Sequence, residues 1–365
     1  MNPESSAGAS QVLDSLLTRV NAGPAAKAPF APDFTRNSWH TESTTRHIMA
    51  NPPGILVTGT SSNHFSQLHG LVASAQRHLP DTWRIVVYDL LGDLAPKDKR
   101  SLAGWCGVEY RIFDAQRVHN STWFPRYLTL SVWKPSIIRD CLRELPAGGL
   151  VVYADTSIRL HEPLGPALIF AVQEHGFVGR QTASPIAMYT HPGMAFELAR
   201  DRAARIGGDS VVAAANISEY STAPMVCGCL LLWANTRFVL EQLLAPWESC
   251  TNRRSCILPE GADGQDNHIG LSSRCQPGLS GHCHRGDQSA LSIILYEAFD
   301  VRARGVAAYL QNTTVGKETW RMGKSWLYGT LFTTERASNS YVEPLGRGGA
   351  RVCTRMGAGA HTIRP

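Results

Sequence analysis

No run of about 18 consecutive apolar residues, the length that spans a bilayer, occurs in this chain. A transmembrane segment is therefore not expected in it. Gly-x-Gly-x-x-Gly, a Walker loop, Gly-x-Ser-x-Gly and His-Glu-x-x-His are all missing. Their absence argues against a dinucleotide oxidoreductase, a P-loop enzyme, a serine hydrolase and a zincin. A dense basic run interleaved with aromatics is missing as well. The net charge of +5 is spread out, and basic residues gather only as Arg253-Arg254 and at Arg347, Arg351 and Arg355. Those arginines read as solvated surface, and nucleic acid is not expected as a partner. There is no internal repeat and no Cys-x-x-Cys knuckle. A zinc site from Cys250, Cys256, Cys275, His282, Cys283 and His284 thus lacks its usual frame.

What is present is the material of a large globular domain. The 365 residues are 43% hydrophobic and 18% charged, enough for a sizeable core. Residues 1–52, rich in Ala, Pro, Ser and Thr, read as a disordered segment without the basic start and apolar core of a signal peptide. Residues 53–332 read as the folded domain and 333–365 as an irregular tail. Four of the nine cysteines fall in one Gly- and Ser-rich stretch, Cys250 to Cys283. A loop that long needs a staple or a function, and disulfides would supply the staple in an oxidising compartment. Four cysteines allow three pairings; Cys250–Cys256 with Cys275–Cys283 is the most local. Sequons at Asn120, Asn216 and Asn312 point the same way, to a glycoprotein of the secretory lumen. A cytoplasmic protein with free thiols is the alternative.

Along the chain, strand and helix patterns alternate from Ile55 to the acid at 155. Strands are expected at 55–59, 83–90, 108–114 and 149–155, with helices at 64–79, 96–105 and 133–145 between them. That order favours a parallel sheet joined by right-handed crossovers. Further on, a helix is expected over 164–175, a short strand over 176–179, a mixed covering segment over 181–209, and a buried strand over 224–233. Helices over 237–247 and 287–299 and a final strand over 301–310 complete the pattern. In Cys227-Gly228-Cys229 the two thiols share one face of an extended strand at a spacing too long for a bond.

Two acids stand out. Asp155 follows an apolar run that ends abruptly, as a buried strand does when it delivers a carboxylate to the ligand-binding edge of an open α/β sheet. It could hold a divalent cation, or merely cap a turn; two positions on stands Ser157, not a second acid. Asp287, with Gln288 beside it, opens an apolar helix. It could bind sugar hydroxyls, act as base or nucleophile, or only cap. The two acids are expected to share one pocket. Lys134 at a helix start forms an anion site, or a surface lysine. His282 and His284 are a close pair suited to metal or phosphate. Gly228 inside an apolar strand implies a close backbone approach or a ligand beside the sheet.

Together these segments resemble the GT-A glycosyltransferases, the nucleotide-diphospho-sugar transferase superfamily, and in particular its uncharacterised eukaryotic members. The resemblance rests on the opening strand Ile55 to Thr60, Trp133-Lys134-Pro135, Tyr153-Ala154-Asp155-Thr156-Ser157, the glycine strand at Gly228, the Cys250 to Cys283 loop and Asp287-Gln288-Ser289-Ala290-Leu291. It implies a GT-A-like α/β domain, with helices on both faces of a mostly parallel sheet and a disulfide-stapled loop. It implies a Golgi glycosyltransferase, hexosyl-transferring and retaining, that moves a sugar from a nucleotide-sugar donor to a glycan or glycoprotein acceptor. Thr58, Lys134, Asp155, Ser157 and Gly228 would bind the donor, and Lys134 would neutralise its diphosphate. Some retaining members that resemble glycogenin carry Asp-Gln at a late helix start. Carried over, Asp287 would bind sugar hydroxyls and Gln288 would face the anomeric carbon. A divalent metal, manganese above all, would be held by Asp155 and His284, though the usual Asp-x-Asp is Asp155-Thr156-Ser157 here. The alternative is an inactive carbohydrate-binding or structural secreted protein on the same fold.

Overall fold

The computed structural model describes residues 51–117, 130–205, 217–221, 223–262, 284–299 and 332–334. All belong to one compact unit. Its frame is a six-stranded sheet in the order β3-β2-β1-β4-β7-β6. The strands are β1 (Gly54–Thr60), β2 (Arg84–Asp89), β3 (Val108–Ile112), β4 (Leu150–Ala154), β6 (Phe177–Pro185) and β7 (Pro224–Ala234). A small pair, β5 (Ile158–Leu160) with β8 (Phe332–Thr334), stands beside it. The helices are α1 (Phe65–His78), α2 (Pro96–Gly104), α3 (Lys134–Arg143), α4 (Pro166–His175), α5 (Pro192–Arg205), α6 (Ala245–Thr251), α7 (Arg254–Ile257) and α8 (Gly286–Ala298).

The period of two along each strand sorts the core into two layers. Ile55, Val57, Val86, Tyr88, Val151, Tyr153, Leu231 and Trp233 face one way, onto Ile137, Ile138 and Leu142 of α3 and Leu291 of α8. Leu56, Ile85, Val87, Leu150, Val152, Leu230 and Leu232 face the other, onto Leu68, Leu71 and Val72 of α1 and Val172 of α4. Both faces are covered, which is why the strands read as continuous apolar runs. Proline is the first residue of α2 and α4 and the second of α3, where its fixed φ and missing N–H cost nothing. Gly176, at φ +81, closes α4 in the left-handed region.

The sheet is mostly parallel, as expected, with one reversal. β7 runs antiparallel to both β4 and β6. A buried apolar run reads alike in either direction, so its sequence could not say so. β6 extends to Pro185, well past the expected 179, and the segment expected to be mixed contains α5. The expected helix over 237–247 is a π-helical turn, Val239–Leu244, followed by α6. α6 and α7 carry Cys250 and Cys256, so the start of the supposed loop is helical. These two cysteines form a disulfide with Cα atoms 5.1 Å apart. Cys275, Cys283, the 301–310 strand, His282 and the sequon asparagines lie outside the described residues. No described helix is long and apolar enough to cross a membrane.

Cys227 and Cys229 correct the sequence reading, because they are bonded to each other. Their Cα atoms are 5.3 Å apart, against about 6.6 Å for two residues of extended strand. The β6–β7 register explains the contraction. It passes from Gly179↔Leu231 to Gln181↔Val226, so β7 spends five residues where β6 spends two. Residues 227–230 are thus free of the β6 ladder, and the strand can pinch there.

Candidate active site

The site lies where β4 ends and β7 begins. Because β7 is reversed, Leu230 pairs with Ala154, and Gly228 falls level with the turn after β4. The Asp155 N–H donates to Cys229 O at 2.9 Å, and Ile158 N–H to Asp155 O at 2.9 Å, which closes that turn. Thr156 Oγ1 donates to Gln67 Oε1 at 3.2 Å and ties the turn to α1.

α8 arrives from the other side. Past the end of β4, the backbone of Val226 has no β4 partner, and α8 side chains take its place. The Val226 N–H donates to Ser292 Oγ at 2.9 Å, and Gln288 Nε2 donates to Val226 O at 3.0 Å. Gln288 therefore has Oε1 to offer a ligand. Trp247 Nε1 donates to Asp287 O at 3.1 Å, and Ser289 Oγ to Tyr189 O at 2.7 Å, which fixes the helix start. The Arg285 guanidinium lies over the Tyr189 ring, 4.4 Å from its centroid.

Lys134 sits at the centre. Its Nζ donates to Gly228 O at 3.0 Å, and lies 3.1 Å from Asp287 Oδ2 and 3.6 Å from Asp155 Oδ1. Those two carboxylate oxygens are thus within about 7 Å of each other. The lysine is 5% exposed and lies over the Tyr153 ring at 5.2 Å. Burial pushes its pKa down, but the charges of Asp155 and Asp287 outweigh burial and hold it above the usual lysine range. Burial pushes the Asp287 pKa up; Lys134 offsets this only in part, and the like charge of Asp155 adds to the rise. Tyr153 OH donates to Asp155 Oδ1, and burial and that carboxylate hold the phenol protonated.

Three more of the expected residues stand apart from this cluster. Thr58 lies inside β1 with no exposure, its Oγ1 unpaired among the described residues. Ser157 lies in the turn after β4. The His284 ring is committed to the backbone: Nε2 bonds Ile257 O at 2.8 Å and Nδ1 accepts from His191 N–H at 3.2 Å. Burial lowers its pKa to about 4, so the ring is neutral. The sequence reading missed Tyr153, though the strand period places it on the face of Asp155, two residues on. It also missed His64 at the start of α1. Burial lowers the His64 pKa, and the Asp155 charge partly restores it. Ser131, three residues before Lys134, is the one described non-glycine residue with positive φ, at 54°. Strain of that kind collects at functional sites.

A divalent cation asks for several hard ligands converging on one point. Among the described residues no group of three or more His, Cys, Asp or Glu side chains could hold one. Asp155 Oδ1 already accepts from Tyr153 and faces an ammonium. A dication on that carboxylate would be repelled by Lys134, by several kcal/mol at an effective dielectric near 20, with no second carboxylate at 157 to offset it. The described residues do not fit the metal that the resemblance implies.

The site and fold define an open, mostly parallel α/β domain with a charged centre at the carboxyl edge of its sheet. No family model matches the chain, and no curated protein matches it. The solved structures similar to it include the bifunctional glycosyltransferase WbbM (14% identity, TM-score 0.32, 64% of this chain and 40% of that one). They include the glycosyltransferase GlyE of Streptococcus pneumoniae (11%, 0.39, 80% and 57%). A third is core-mannan synthase A of Aspergillus fumigatus in a Mn/GDP form (11%, 0.40, 66% and 69%). The chain spans about half the length of the first two.

Proposed function

We propose that the chain is a glycosyltransferase that moves a hexosyl group, with retention, from a nucleotide-sugar donor to a glycan or glycoprotein acceptor in the secretory lumen. The observation that carries this reading is one buried ammonium between two acids at the carboxyl edge of an open α/β sheet. In the reaction the anomeric C–O bond to phosphate breaks, and its electron pair leaves with the nucleoside diphosphate. The acceptor oxygen forms the new bond and gives up its proton to the departing phosphate. Lys134 would offset the charge that grows on the leaving group. Asp287 would offset the positive charge that grows on the sugar, with Gln288 Oε1 beside it. Asp155 and Tyr153 would hold the ammonium in place.

The internal pairing of Lys134 with two acids and a carbonyl also favours a second reading, a closed site in a non-catalytic carbohydrate-binding protein. Incubating the full chain with uridine and guanosine diphosphate sugars, and measuring free diphosphate, separates the two. The catalytic reading expects release that Asp287→Asn lowers by roughly 10²–10³ while nucleotide affinity holds, the effect of one transition-state charge contact. Binding of glycan with no release from any donor would establish the second reading.

A further inference from the structure

We infer that Lys134 stands in for the divalent cation, so that the donor diphosphate is held without metal. The inference rests on the glycosyl-transfer reading of the same site. A cation that bridges a diphosphate does two things: it supplies positive charge, and it is held by fixed oxygen atoms. The Lys134 ammonium has both properties. It is a compact charge with three donors. Its position is fixed by three oxygens from three separate parts of the chain, Gly228 O, Asp287 Oδ2 and Asp155 Oδ1, at 3.0, 3.1 and 3.6 Å. The rings of Tyr153 and Trp133, 5.2 and 5.9 Å from Nζ, close two further sides.

Several of the atoms that would hold a metal are meanwhile engaged elsewhere. Tyr153 OH occupies Asp155 Oδ1, Thr156 Oγ1 is turned to Gln67, and both His284 nitrogens serve backbone groups. Position 157, where a second acid would complete a metal site, is a serine. One substitution at 157 therefore matches one feature elsewhere: the charge missing for a metal is not needed where an ammonium is built in.

The test uses the full chain freed of metal by chelation. Uridine, guanosine and adenosine diphosphates are titrated calorimetrically in EDTA and again in millimolar Mn²⁺, and free Mn²⁺ is counted by its EPR signal. The expected result is a nucleotide that binds in EDTA with a Kd within about threefold of that in Mn²⁺, and no loss of EPR signal to the protein alone. Lys134→Gln then weakens binding at least 30-fold, and Mn²⁺ does not restore it. Should Lys134→Gln fail to fold, the wild-type comparison still decides. Binding that Mn²⁺ tightens by more than about threefold, or that folded Lys134→Gln retains in EDTA, overturns the inference and leaves the glycosyltransferase reading standing. No binding of any nucleotide in either condition overturns both.

Discussion

Lys134 Nζ donates to the carbonyl oxygen of Gly228 at 3.0 Å, joining the first residue of α3 to the pinched part of β7 across 94 positions of sequence. The contact is possible because residue 228 has no side chain. A Cβ there would lie 3.1 Å from Asp287 Oδ2, 3.1 Å from Gln288 Cγ and 3.2 Å from Lys134 Nζ. Gly228→Ala should therefore cost on the order of 1–3 kcal/mol by overpacking, and weaken nucleotide binding with it. Urea denaturation and a nucleotide titration on the same sample check this. An alanine variant with unchanged stability and affinity would show that the three side chains have room to move.

Lys134→Met leaves the buried carboxylate of Asp287 without its counter-charge and facing the part-exposed carboxylate of Asp155. A loss of roughly 3–5 kcal/mol is expected, as for a broken buried ion pair. Adding Asp287→Asn should give part of it back, because the remaining acid no longer has a like charge beside it. A double-mutant cycle in urea measures the recovery. A double variant less stable than Lys134→Met would contradict the shared-ammonium arrangement.

His284 makes stability depend on pH. Its folded pKa, about 4, lies below the usual 6.5. The unfolded chain thus binds more protons between those values, and stability falls as pH drops from 6.5 towards 4. The full shift corresponds to about 3 kcal/mol, present above pH 6.5 and lost below 4. His284→Gln keeps hydrogen-bonding atoms and removes the titration. Melting curves from pH 4 to 7 should be flatter for this variant, and an equal slope in both proteins would place the titrating group elsewhere.

The two described disulfides can be seen chemically. Non-reducing peptide maps should recover Cys250 joined to Cys256, and Cys227 joined to Cys229. Cys256→Ser should lower stability by about 2 kcal/mol, the loop-entropy value for so short a ring. Recovery of Cys250 as a free thiol from oxidised material would refute the pairing.

The legible parts of this fold are those where a period shows. Ile55-Leu56-Val57 and Val151-Val152-Tyr153 read as buried strands because both faces of the sheet are covered, and Asp155 stood out because an apolar run ends on it. α5 was not legible: only Met194, Ala195 and Leu198 of its fourteen residues are buried, too few to show a stripe. On an ideal strand Cys227 and Cys229 stand too far apart to bond, and the β6–β7 register slip that shortens the span involves residues far apart in sequence. The same holds for the charged centre. Lys134, Asp155 and Asp287 were each visible as element ends, but only the reversal of β7 and the docking of α8 on it bring them to one ammonium.

β4 is paired on both sides, with β1 along one edge and β7 along the other. Its amide protons can reach water only when the sheet itself opens, so they should be among the last to exchange for deuterium. The Asp155 amide, locked onto Cys229 O, belongs to that set. The carboxylate is therefore mounted at the end of a strand that opens only with the sheet itself.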